Sequence, residues 1–454
     1  MAAGARHAVP LLPFARAPVW PFKLIMLRSV TRTYLEIFRL YPILIPLAVV
    51  IFCGEAGYSS LNNLLVPLYV KERGGFLGVP PAMMGRAVGL VAAGFLLGET
   101  LLRIPTGRLS DRLGRRPLMI VGPIISCLSP VFATTVRRWH YLLALRLGDG
   151  CGAACLWPSV YALIGDTVSP GFRATAMSVA NMLYFAAVTL GPWAASTIVG
   201  ATGSYPVAFR SVTILFLVAA AVSTWGVGAF LARKPAAFER EPQLASEPAR
   251  AESGVNPGVS PATLVAMLAI TFAQNFAIIM LAPFLSLYAR VVLGVPVGKI
   301  GRLYLLPGLV LASLAVPMGR LADAWPRARS VRVALLVSTI GMACVPLAGS
   351  LETLMGLAIL MGAAYALGMG AWLAVITEIA PEKERGATVG RFGAAQGLGA
   401  VMAPLVGGHM WDLNHAYAFW LSAGVLGIST LIAAFGLRNL PAGLMRRREQ
   451  MPPV

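Results

Sequence analysis

Long apolar runs alternate with short polar breaks along almost the whole chain, and the runs have the length a bilayer demands. A helix crossing hydrocarbon needs about 20 mostly apolar residues. Stretches of that kind fall at approximately 41–66, 83–106, 117–136, 140–164, 175–198 and 207–231, and again at 262–288, 299–321, 331–349, 352–376, 388–410 and 415–437. Between the two sets lies 233–260, which holds Arg233, Lys234, Glu239, Arg240, Glu241, Glu247, Arg250, Glu252 and several prolines, a composition that predicts a solvated linker. The pattern therefore predicts an all-α membrane protein of twelve transmembrane helices in two six-helix bundles, 41–232 and 261–437, with tails at 1–40 and 438–454.

The two bundles repeat one another. The first run ends Val66-Pro67-Leu68-Tyr69 and the seventh ends Pro283-Phe284-Leu285-Ser286-Leu287-Tyr288. Fourteen residues before each tyrosine stand Glu55 and Gln274. Gly107-Arg108-Leu109-Ser110-Asp111 recurs as Gly319-Arg320-Leu321-Ala322-Asp323, and the small residues around Gly191-Pro192 recur around Ala403-Pro404. Such duplication predicts pseudo-symmetric bundles with a substrate site between them, near the membrane midplane.

Composition narrows the class. Only 12% of the residues are charged and 57% are hydrophobic, against roughly 25% charged in a soluble domain. The net charge of +19 is spread between apolar runs and not gathered on one surface, which excludes a nucleic-acid footprint. Most of the 37 Lys and Arg fall in the tails and in alternate loops, so both termini are expected to be cytoplasmic. The first forty residues are basic, carry no acid before Glu36 and lack a compact apolar region with a cleavage site. They predict a cytoplasmic tail with an interfacial amphipathic stretch around Phe22–Leu40, and no signal peptide. The cysteines, Cys53, Cys127, Cys151, Cys155 and Cys344, all lie in apolar runs without metal or disulfide spacing. No cofactor, metal or enzymatic constellation is expected.

Charges inside a bilayer are expensive and call for a reason. Glu55 falls halfway along the first run, with Ser59 and Asn62 at i+4 and i+7 on the same face. A carboxyl in apolar surroundings can hold and release a proton near neutral pH. In the fourth run Arg146, Gly150, Ala153, Trp157 and Tyr161 share a face, and Asp149 at i+3 can pair with Arg146. Glu99 and Arg103 are spaced for an intrahelical ion pair. Candidate substrate contacts are Ser59, Asn62, Trp157, Tyr161, Gln274, Asn275, Tyr365 and Trp372, with Tyr184, Trp193 and Phe276 further aromatic candidates.

The string Gly107-Arg108-Leu109-Ser110-Asp111-Arg112-Leu113-Gly114-Arg115-Arg116 sits between the second and third runs. Its glycines suit a tight connection, and Asp111 is placed to meet a helix N-terminus, where the dipole favours a carboxylate. The string resembles the G-x-L-x-D-R-x-G-R-R loop of the major facilitator superfamily of secondary transporters, with every fixed position filled. Leu143-x-x-Arg146-x-x-Asp149-Gly150-x-Gly152-Ala153-Ala154 is similar to the fourth-helix motif of proton-coupled members, although Asp149 stands where the family often has glutamine. Gly191-Pro192 resembles the fifth-helix antiporter motif, with Ala187, Ala195 and Ser196 replacing glycines.

The resemblance implies the major facilitator fold and, most closely, a drug:proton antiporter. It implies proton-coupled efflux of a small molecule by alternating access, from a monomer in the cell membrane. Glu55 would then be the coupling carboxyl, with Arg146 and Asp149 as modulators. Gly107, Asp111, Arg112, Gly114, Arg115 and Asp323 would form a conformational latch, the arginines pairing with Asp166 or Glu378. A metabolite or sugar uniporter or symporter of the same fold is the alternative.

Overall fold

The computed structural model describes residues 36–232, 261–379 and 385–436, apart from the side chains of 261 and 436 and some within 315–324 and 370–389. The expected linker, the C-terminal tail and all but residues 36–40 of the N-terminal tail lie outside the described residues.

Twelve long helices follow one another: α1 (Leu44–Glu72), α2 (Met84–Leu113), α3 (Arg115–Phe132), α4 (Trp139–Thr167), α5 (Pro170–Thr202), α6 (Tyr205–Ala232), α7 (Pro261–Val291), α8 (Arg302–Ala324), α9 (Arg327–Cys344), α10 (Leu351–Ile379), α11 (Arg385–Leu413) and α12 (Tyr417–Gly436). Nine of the described helices meet a simple length-and-apolarity test for crossing a membrane. The other three, α3, α4 and α11, carry charges that the fold employs: Arg115 and Arg116, Arg146 and Asp149, and Asp412.

The duplication read from the sequence is visible in the packing. In the first half α1 packs on α5 and α6, α2 on α4, and α3 on α4 and α6. In the second half the same pairs recur six helices later: α7 on α11 and α12, α8 on α10, and α9 on α10 and α12. The seam between halves obeys the same symmetry, α2 meeting α11 and α5 meeting α8. Asp412, Arg290 and Tyr304 tie the halves together, all toward the end away from the arginine loop.

Prolines shape the inner helices, and the carbonyls they free are taken up. Pro67 cannot donate to the carbonyl of Asn63. The α1 backbone widens into a π turn over Leu61–Leu65, and the Tyr304 hydroxyl of α8 donates to that Asn63 oxygen at 2.8 Å. Pro158 likewise frees the Ala154 carbonyl, which accepts the Thr106 hydroxyl of α2 at 2.7 Å. Tyr304→Phe and Thr106→Val are each expected to lower stability by about 1 kcal/mol, because a buried acceptor loses its donor. Thermal unfolding in detergent measures this, and unchanged midpoints in both variants would show that these carbonyls are satisfied otherwise.

The arginine string is mostly helix, contrary to expectation. α2 runs on through Leu113, and Gly114 alone, at φ +89°, turns the chain into α3. Gly107 lies within the helix. Asp111 therefore sits in the last turn of α2 and not at a helix N-terminus. Its carboxylate bonds Arg115, the first residue of α3, which also donates to Asp166 at 2.9 Å. That basic partner offsets the unfavourable placement of an acid at a helix C-terminus. Asp166 is on α4, so this contact ties three helices of one half and does not bridge the halves.

Candidate functional site

Arg146 and Asp149 lie in the dry interior because α4 is narrow where they stand. A Cβ on Gly150 would collide with the Phe95 carbonyl of α2, and one on Gly152 with Ser126 of α3. With those helices so close, both charged side chains are 0% exposed. They form the ion pair that their spacing predicts, and the other guanidinium nitrogen donates to the side-chain oxygen of Asn62 on α1. The Phe95 ring lies 4.7 Å from Arg146 Cζ, completing the enclosure with a cation–π contact. Asp149 Oδ1 and Arg146 Nε have no hydrogen-bond partner among the described residues. The pair is therefore incompletely satisfied, with one carboxylate oxygen open to a proton or a water.

Glu55 forms a second centre one helix away, only 7% exposed. The Tyr184 hydroxyl of α5 lies beside it, and Glu99 of α2 acts on it through the electrostatic field. A wall of rings joins the two centres: Trp157 stands 5.6 Å from Tyr184, 6.1 Å from Tyr161 and 6.4 Å from Tyr58, whose own ring is 5.6 Å from Phe95. Tyr58 also bonds the Ser126 hydroxyl at 2.8 Å, and that hydroxyl reaches the Asp149 backbone oxygen at 3.3 Å. The first half thus holds three acids, Glu55, Glu99 and Asp149, around one fully buried arginine and an aromatic surface. Such a set can exchange a proton and can hold a flat or cationic molecule.

The predicted contacts divide. Trp157 belongs to the wall, Tyr161 is half-buried against it, and Asn62 is engaged by Arg146. Ser59 donates instead to the Ala187 backbone at 3.3 Å, serving the α1–α5 contact. In the second half Gln274 is half-buried, Asn275 donates to the Thr271 carbonyl of its own helix at 3.1 Å, and the Trp372 indole donates to the Thr271 hydroxyl at 3.3 Å. Tyr365 is 39% exposed. Arg112 is exposed, and Asp323 and Glu378 have side chains outside the described residues. The expected Glu99–Arg103 ion pair is not among those formed by the described residues; Arg103 is exposed and acts on Glu99 through the field alone. Spacing along the sequence does not single out Tyr58, Phe95 or Ser126. Tyr58, at i+3 from Glu55, carried the one available signal.

An apolar groove between α3 and α4, lined by Ile125, Leu128, Phe132, Tyr141, Leu145 and Gly148, lies apart from these centres. Its lining holds none of the acids, and we read it as lipid-facing surface.

Comparison with known proteins agrees with this architecture. The family model described as Major Facilitator Superfamily matches residues 47–311 and 267–452. Multidrug resistance protein 2 of Bacillus subtilis (strain 168) is 22% identical over 347 residues, covering 76% of this chain and 84% of its own length. Multidrug resistance protein 1 of the same strain is 23% identical over 382 residues, covering 81% and 94%. Among solved structures, a bacterial homologue of the human lysosomal transporter Spinster, captured inward-facing and occupied, superposes with a TM-score of 0.66 at 18% identity, over 90% of this chain and 99% of its own.

Proposed function

Because the chain belongs to the Major Facilitator Superfamily, we propose that it exports small, amphipathic, drug-like molecules across the cell membrane in exchange for protons, its two halves rocking about the polar centre. The observation that carries the reading is Glu55, a carboxyl nearly sealed from solvent within an aromatic wall. The names of the relatives, both multidrug resistance proteins, support drug-like cargo. A proton and a cationic or amphipathic molecule can compete for one acid, which couples export to proton entry.

With the arginine string taken as cytoplasmic, the seam ties of Asp412 and Arg290 fall at the outer face, which supports an inward-facing state. Asp111, Arg115 and Asp166 then hold the α2–α3 turn rigid. Gly114 supplies the corner, and Arg112, exposed here, is free to meet the second half when the inner face closes.

The test is a substrate screen in cells lacking their own exporters, with and without a protonophore. Accumulation of amphipathic cations is expected to fall on expression and to recover when the proton gradient is collapsed. Transport that survives the collapse would make the protein a uniporter.

A further inference from the structure

The seam between halves has a feature that the transport reading does not use. α2 begins after Met83, which provides no side-chain cap, so the first backbone N–H groups of the helix need acceptors. They find one in the opposite half: Asp412, near the end of α11, accepts Gly85 N–H at 2.6 Å and Arg86 N–H at 3.1 Å, and pairs with Arg86 Nε at 3.1 Å. The Asp412 side chain is 4% exposed. The symmetry-related seam repeats the arrangement. α8 begins after Gly301, again without a side-chain cap, and Ser196 of α5 accepts Gly301 N–H at 2.8 Å while donating to the Val297 carbonyl at 2.5 Å. Ser196 is one of the residues that depart from the glycines of the antiporter motif. In this chain the hydroxyl has work at that position.

The backbones are close enough for these caps because the seam lacks side chains. A Cβ on Gly85 would lie 2.6 Å from the Gly408 carbonyl, and one on Gly89 would collide with the Pro404 carbonyl. Glu72 and Arg290, 2.7 Å apart at the ends of α1 and α7, close the same face.

We propose that Asp412 and Ser196 are cross-half helix caps that hold this face shut, and that their release sets the balance between the two transport states. The proposal rests on the alternating-access reading. When the halves part at this face, the Gly85 and Arg86 N–H groups of α2 lose Asp412, the Gly301 N–H at the entrance of α8 loses Ser196, and an acid at a helix N-terminus loses its favourable dipole. The closed state is therefore favoured by contacts that exist in it alone, which is the requirement for a shift of population.

The experiment uses the full chain in nanodiscs, with the native cysteines replaced and spin labels in two separate pairs, Ala82→Cys with Leu413→Cys and Thr202→Cys with Lys299→Cys. Asp412→Ala is expected to lower the ratio of short- to long-distance populations about tenfold or more, since a bond to a charged group is lost in one state only. Ser196→Ala is expected to act in the same direction and more weakly, and Asp412→Asn, which keeps an acceptor, to fall between Asp412→Ala and the parent. Gly89→Ala opens the face by steric wedging and provides the control for detection. Unchanged distances in Asp412→Ala and Ser196→Ala, while Gly89→Ala shifts them, would overturn the capping role. Should Asp412→Ala not fold, Asp412→Asn and Ser196→Ala decide in its place. The distances need no substrate, so a failure to export drugs would defeat the transport reading without touching this result.

Discussion

Replacing Arg146 with methionine is expected to cost about 3–5 kcal/mol of stability, because it strands a fully buried carboxylate without its partner. The loss falls on more than one contact. Asn62 loses its donor and Phe95 loses the cation over its ring. Asp149 Oδ2 loses the guanidinium, and its Oδ1 already has no hydrogen-bond partner among the described residues. Adding Asp149→Leu to Arg146→Met should restore most of the stability, since removing both members of a buried pair leaves no orphan charge. Thermal unfolding of the single and double variants in detergent measures the difference. A static structural pair predicts that the restored double variant still transports. A role in proton handling predicts a stable protein that no longer responds to an imposed pH gradient. If the single variant unfolds at the parent temperature, Arg146 is not the counter-charge that the geometry makes it.

Much of this architecture could be read before the fold was seen, and the reason is physical. Hydrocarbon thickness fixes the length of each span, so the bounds of α4 or α12 follow from where apolar residues start and stop. Within one helix, spacing also fixes which residues meet: Arg146 and Asp149 pair because i and i+3 share a face. What spacing cannot reveal is the partner on another helix. Ser59 and Asn62 looked alike on one stripe, yet one serves the α5 backbone and the other holds Arg146. In sequence Ser196 is only a departure from a glycine, and its bond to Gly301 depends on a residue more than a hundred positions away. The arginine string misled in the opposite direction. Its glycines suggested a loop, but Gly107 is accommodated in α2, and only Gly114 adopts a conformation that a side chain would resist.

Glu55→Gln is expected to separate binding from coupling. The amide fills the same space beside Tyr184 and can still bond it, so the aromatic wall of Trp157, Tyr161 and Tyr184 should remain in place. What disappears is the exchangeable proton. In proteoliposomes with an acidic interior, whose protons leave as the cation enters, accumulation of a fluorescent amphipathic cation against its own gradient should fall at least tenfold, while downhill exchange of the same cation continues. Glu99→Gln is the necessary comparison, since that acid lies in the field of Glu55 and could take over its proton. If Glu99 carries the coupling, its variant will lose uphill transport and the Glu55 variant will keep it. Uphill transport that persists at the parent rate in both variants would move the coupling site to Asp149, the third acid of the cluster and the one whose open oxygen already faces no partner among the described residues.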